Sequence, residues 1–204
     1  MKHSTSGRLL LFALATSSGL LTPDRASAQT TDVDTAAVRA TSPVVGGPCE
    51  GCEAVFEGLP AKLSSTARIA PVSEPGEPLR ITGTVYGPEG EPAPGVVVYA
   101  YHTNVEGVYP PGTGLGGSAE RHGRLRAWVI TDAGGRYRFD TIRPAGYPGR
   151  DTPQHVHMHV IEPGCCTYWL TSVHFADDPR LDPGAQPEGR PRGGDGIVEP
   201  RRTD

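Results

Sequence analysis

The chain has 204 residues, 27 of them glycine and 21 proline, and carries a formal net charge of −4. That length fits one domain with tails, and the Gly/Pro content favours short strands joined by turns over a helical fold. A mildly acidic balance without a basic run, and an aromatic fraction of 6%, exclude a nucleic-acid-binding surface and base-stacking platforms.

Residues 1–28 read as a secretory signal: Lys2, His3 and Arg8 give a positive start, and an apolar stretch follows over 9–21. That stretch is too short and too interrupted by Ser, Thr and Gly for a stable membrane anchor. Ala26-Ser27-Ala28 then supplies a small-x-small cleavage pattern. The expectation is an exported protein, periplasmic or extracellular, after cleavage near Ala28. Residues 29–47 are small and polar without a pattern, a flexible leader. Residues 48–78 combine turn chemistry with a few apolar anchors and are expected to lie across the domain.

The domain itself is expected over 79–180. Strand patterns occur at 80–86, 96–101, 126–131, 136–139, 155–161 and 168–175. Gly/Pro turns separate them, including a tight hairpin at 132–135. This predicts an all-β fold, an antiparallel β-sandwich with long loops and little helix, followed by an irregular tail over 181–204. The loop between Tyr101 and Arg124 is long and places Tyr109 among prolines and glycines. Long loops in compact domains are functional or disordered.

Export bears on the cysteines. Cys49 and Cys52, and the adjacent Cys165 and Cys166, could form a zinc set, but an oxidising compartment favours disulfides. The simplest arrangement staples the N-terminal pair onto the Cys165–Cys166 turn, one of three pairings that four cysteines allow.

The histidines carry the most chemistry. In a strand, His155, His157 and His159 share one face while Val156, Met158 and Val160 fill the other. Neighbouring same-face residues are about 6.6 Å apart and the outer pair about 13 Å. Two imidazoles can therefore meet on one ion and the third remains a neighbour. Two neutral nitrogens suit zinc, copper or iron. A phenolate from Tyr147, eight residues upstream of His155, and a second from Tyr109 would favour a trivalent ion. His102, His122 and His174 stand singly and read as structural. Arg124 and Arg126 read as exposed, or as anchors for an anionic substrate group.

These residues resemble a family. The stretch from Tyr99 to Tyr109, the stretch from Thr131 to Pro148 carrying Tyr147, and Pro153-Gln154-His155-Val156-His157 in the frame P-x-H-x-H are similar to the segments of intradiol ring-cleavage dioxygenases, of the protocatechuate 3,4-dioxygenase type. The resemblance runs from about residue 79 to 175. It implies a non-haem Fe(III) held by Tyr109, Tyr147, His155 and His157, with Tyr147 also catalytic as a proton acceptor. It further implies a small catecholic substrate and O2 as partners, and cleavage between the two hydroxyl carbons to a muconate-type diacid. Within that frame His159 is a neighbour behind the ligands. No nucleic acid and no stable membrane anchor are expected, and oligomerisation is left open.

Three departures from the family pattern stand out. Thr152 occupies the place just before P-x-H-x-H where the family commonly has an arginine, and Arg150, two residues away, is the expected substitute. His159 is additional. The loop between Tyr147 and His155 is short, which leaves specificity open. Two alternatives accompany this reading. One is a non-catalytic transthyretin-like binding module, which residues 81–96 resemble through I-x-G-x-V and P-x-P-G-V. The other is a metal-binding homologue without ring cleavage.

Overall fold

The computed structural model describes residues 30–46, 51–182 and 192–202. The expected signal peptide, Cys49 and much of the C-terminal tail lie outside the described residues. The strands are β1 (Thr30–Asp32), β2 (Lys62–Ser64), β3 (Thr66–Arg68), β4 (Pro78–Thr84), β5 (Val97–Tyr101), β6 (Arg126–Ile130), β7 (Arg136–Ile142), β8 (His155–Glu162), β9 (Cys166–Trp169), β10 (Val173–Phe175) and β11 (Ile197–Val198). Among the described residues there are also two short helices, α1 (Thr35–Thr41) and α2 (Ala119–His122), and a 3-10 turn at Cys52–Phe56. No described helix is long and apolar enough to cross a membrane.

The large sheet runs β11-β10-β8-β5-β6, with β9 also paired to β8, and the small sheet runs β3-β7-β4. Alternation along the central strands gives the large sheet two buried faces. Val98, Ala100, Val129, Val156 and Met158 meet Phe139 and Ile142 of the small sheet in the sandwich core. Val97, Tyr99, Tyr101, Trp128 and Ile161 point the other way, beneath Val38 of α1, Val55 of the 3-10 turn, Leu59 and Leu63. The N-terminal segment therefore roofs the outer face of the large sheet. Trp128 fastens that roof, donating its indole N–H to the Val55 carbonyl at 2.7 Å.

The all-β sandwich matches the sequence expectation; four details differ. The stretch read as a flexible leader contains β1 and α1, whose start is capped by Asp34 accepting from the Ala36 and Ala37 amides. Such a side-chain oxygen satisfies amides that have no intrahelical partner. The turn at 132–135 does form, with Asp132 N–H donating to Arg136 C=O at 3.0 Å. It hands the chain from one sheet to the other, however: β6 pairs with β5 and β7 with β3 and β4. Two pairings, β3–β7 and β10–β11, are parallel. The strand read over 168–175 is broken into β9 and β10 at residues 170–172.

The expected staple onto the Cys165–Cys166 turn is also corrected. Cys52 is disulfide-bonded, whereas Cys165 and Cys166 are free thiols. Cys52 is buried under the sheet with its sulfur 3.7 Å from His159 Nδ1. Cys166 pairs with Glu162, three residues farther along β8, or about 10 Å at strand rise. A disulfide needs Cα atoms within about 7 Å of each other.

Candidate metal centre

β8 is the middle strand at the site, with β5 on one side and β10 and β9 on the other. Its first and third residues, His155 and His157, project to the roofed face, as the two-residue period of a strand requires. Just before it, Gln154 N–H donates to the Asp178 carboxylate at 2.5 Å. Arg143 Nε donates to the Gln154 side chain at 2.7 Å and closes a two-pronged pair with Asp177 at 2.8 and 2.6 Å. The chain entering His155 is thus held from two sides.

The two tyrosines come from loops that one asparagine ties together. Asn104 Oδ1 accepts from the Glu106 and Val108 amides, shaping the turn before Tyr109. The Asn104 carbonyl accepts from Ala145 N–H, two residues before Tyr147, at 3.1 Å. Gly107, at φ +76°, lets the first loop lie directly on the Gly146 backbone.

Four donor atoms meet there. The Tyr109 and Tyr147 oxygens are 2.6 Å apart, and the His155 and His157 Nε2 atoms 3.1 Å apart. Tyr147 Oη lies 3.1 Å from His155 Nε2 and 3.3 Å from His157 Nε2, and Tyr109 Oη lies 3.0 Å from His157 Nε2. His155 donates its Nδ1–H to the Pro153 carbonyl at 2.8 Å, which leaves Nε2 with a free lone pair. His157 Nδ1 meets the Ser172 hydroxyl at 3.1 Å. These five contacts have at most three protons to bridge them: two phenolic and one on His157. A cation at the centre would satisfy all four lone pairs at once, so the donor set fits a metal ion. Outer hydrogen bonds of this kind fix the tautomer and aim of a ligating imidazole.

The electrostatics agree. Burial, reinforced by the neighbouring imidazoles, pushes His157 well below the usual histidine range. Burial also lowers His155, against the opposing pull of the Pro153 carbonyl. Both are therefore neutral, the ligating state. Burial, then the hydrogen bond shared with Tyr147, raises the Tyr109 phenol, so its anionic form requires a nearby cation. Two phenolates and two imidazoles are a hard, anionic donor set suited to ferric iron.

Tyr109, Tyr147 and His157 form part of the wall of a cavity of about 480 Å³, which Tyr101, Arg121, His122, His159, Trp169 and Ser172 also line. Tyr101 stacks between the rings of His122, at 3.7 Å, and His157, at 4.7 Å. His159 lies away from the four donor atoms, with Nδ1 toward Cys52. Arg150 is not brought into the site: it is exposed in the turn after Pro148, and the cation in the cavity wall is Arg121. Thr152 does not line the cavity either. Arg124 pairs with Glu74 at 2.7 Å, and Arg126 donates to the Ala54 and Glu57 carbonyls. Neither is poised as a substrate anchor. His102 is fully buried between the Thr103 carbonyl and the Thr141 hydroxyl.

The family model described as Dioxygenase matches residues 56–186, well over half of the chain. The chain belongs to the intradiol ring-cleavage dioxygenase family. Over 130 residues it is 32% identical to the catechol 1,2-dioxygenase of Acinetobacter baylyi, covering 55% of this chain and 41% of that protein. It is 43% identical over 70 residues to catechol 1,2-dioxygenase 1 of Acinetobacter lwoffii, covering 34% and 22%. It is 30% identical over 112 residues to the protocatechuate 3,4-dioxygenase beta chain of Burkholderia cepacia, covering 52% and 48%. The chain thus spans less than half the length of each of these relatives. Among solved structures, the mercury-inhibited catechol 1,2-dioxygenase of Acinetobacter sp. ADP1 shares 32% identity at a TM-score of 0.46, covering 56% of this chain and 42% of that one. The dioxygenase family match runs through both tyrosines and the histidine strand, well beyond the two strands that carried the transthyretin-like resemblance.

The cavity residues Tyr101, Arg121, His122, Trp169 and Ser172 were not singled out as site residues from the sequence. A signal for one of them existed: Tyr101 is opposite His157 once β5 and β8 are in register. Arg121 and His122 come from a loop helix, Trp169 ends β9 and Ser172 lies in the break after it, and no periodicity marks any of them as site residues.

Proposed function

We propose that this chain is an exported, ferric non-haem dioxygenase that opens a catecholic ring between its two hydroxyl carbons with O2, giving a muconate-type diacid. One observation carries the reading: two phenol oxygens and two imidazole nitrogens, from two loops and one strand, converge beside a cavity that Tyr109, Tyr147 and His157 line. Tyr109, Tyr147, His155 and His157 would hold Fe(III), which supplies Lewis acidity toward the catecholate and leaves the substrate itself to furnish electrons to O2.

The chain's own residues would do the rest. Tyr147 Oη, within reach of both imidazoles, takes up one catechol proton as substrate binds. Tyr109 Oη and the two Nε2 atoms stay in place, His155 and His157 being held by Pro153 and Ser172 from behind. Tyr101 fixes the plane of His157 by stacking, and Trp169 and Leu170 contribute apolar wall that limits water around the ring.

The test is direct. Protein loaded with iron is expected to be red-brown from tyrosinate-to-Fe(III) charge transfer, to change colour with a catechol, and to consume O2 with formation of the ring-opened diacid. Protein that stays colourless and iron-free after reconstitution overturns the reading. Colour without O2 uptake on catechol, protocatechuate or hydroxyquinol would favour the metal-binding homologue without ring cleavage. Thr152 and the exposed Arg150 are the features that point that way.

A further inference from the structure

At the far end of β8 from His155, the hairpin into β9 turns through Pro163 and Gly164, the latter at φ +80°. Cys165 N–H closes the turn onto the Glu162 carbonyl at 2.9 Å. The turn is pinned from outside: Ser42 Oγ donates to the Glu162 carbonyl at 3.1 Å and accepts from Gly164 N–H at 3.2 Å, and Thr167 N–H donates to Pro43 C=O at 2.8 Å. Within this fixed frame the sulfurs of Cys165 and Cys166 are 2.6 Å apart, about half an ångström beyond a disulfide bond. Both thiols are free, Cys165 is exposed and Cys166 is partly so. The metal-centre chemistry makes no use of them.

We propose that Cys165 and Cys166 form a second reactive site, a vicinal dithiol that closes to a disulfide by exchange with low-molecular-weight disulfides such as oxidised glutathione. The geometry assigns the order of events. The more exposed Cys165, as thiolate, attacks one sulfur of the small disulfide; that S–S bond breaks and one small thiol leaves. Cys166 then loses its proton to solvent and attacks the Cys165 sulfur, forming the 165–166 bond and expelling the second small thiol. Two thiols of the protein are oxidised and one external disulfide is reduced to two thiols. The hydrogen bond to Cys165, then burial and the Glu162 charge, push the Cys166 thiol up to about 11. Its greater exposure makes Cys165 the attacker and leaves Cys166 as the thiol that resolves the mixed disulfide.

The test uses the full chain treated with oxidised glutathione, quenched in acid and digested with trypsin. Both cysteines fall in peptide 151–180, which contains no other. The expected result is that this peptide loses the mass of two hydrogens, and that two thiols vanish together from a thiol-reagent count and return with dithiothreitol. In Cys166→Ser, the same treatment should leave one glutathione on Cys165, because nothing is present to displace it. A stable glutathione adduct in the unsubstituted protein, or thiols that persist at equal level after treatment, would overturn the proposal. So would a Cys166→Ser protein that fails to take up glutathione although its hairpin is folded, as judged by unchanged near-ultraviolet circular dichroism.

Discussion

The phenol oxygens of Tyr109 and Tyr147 lie 2.6 Å apart although 38 residues separate them in the chain. Their approach depends on Gly107, where a Cβ would collide with the Gly146 carbonyl oxygen and which in any case sits in the left-handed region at φ +76°. Gly107→Ala is expected to drive the two tyrosine loops apart. The charge-transfer band of the iron-loaded protein should weaken strongly while far-ultraviolet circular dichroism stays unchanged. An unaltered band would show that the loops do not set the spacing.

The ligand set can be separated from its neighbour by substitution. His155→Ala should lose bound iron, measured by elemental analysis after desalting, and Tyr109→Phe should keep part of it with a fainter colour. His159→Ala should keep its iron, since that ring turns to Cys52. Iron lost in His159→Ala and kept in His155→Ala would relocate the centre along β8.

Ser172 reaches His157 only through Nδ1, at 3.1 Å. Ser172→Ala removes the outer hydrogen bond and should weaken metal affinity by about 10–100-fold. A competition titration with a chelator of known affinity reads this out. No change in affinity would mean that stacking on Tyr101 alone orients the ring.

His102 gives a pH prediction. Burial lowers its pKa from 6.5 to about 4, against the raising effect of the Thr103 carbonyl. Between those values the unfolded chain binds a proton that the folded chain does not. Stability is therefore full above pH 6.5 and falls as the pH drops toward 4, by about 3 kcal/mol for this residue alone. Urea midpoints measured at pH 7 and pH 5 should fall in the unsubstituted protein and fall less in His102→Gln. Equal losses in both would assign the acid sensitivity elsewhere.

Much of this was readable from sequence because it rests on local patterns. Short apolar runs bounded by turns at 96–101 and 126–131 placed β5 and β6, and the period-two spacing of the histidines in 155–161 placed β8 with His155 and His157 on one face. What pattern cannot supply is which sheet a strand joins. The tight turn at Asp132 looks the same whether its strands pair with each other or part, so β6 and β7 read as a hairpin. The leader hid α1 because its helix has a single buried residue, Val38. The cysteine staple failed because Cys52 is bonded elsewhere while both thiols of the β8–β9 turn stay free, and spacing in sequence does not reveal pairing. Arg150 illustrates the same limit at the site, since proximity in sequence to His155 did not turn its side chain inward.

The shortage of protons among four converging donors has a thermodynamic consequence. A polypeptide that gathers these atoms before meeting its ion holds facing lone pairs in a buried place, so folding and ion capture are linked equilibria. Free ion at a thousandfold excess over its dissociation constant would add about 4 kcal/mol to the folded state. The melting temperature of this protein should then track chelator strength.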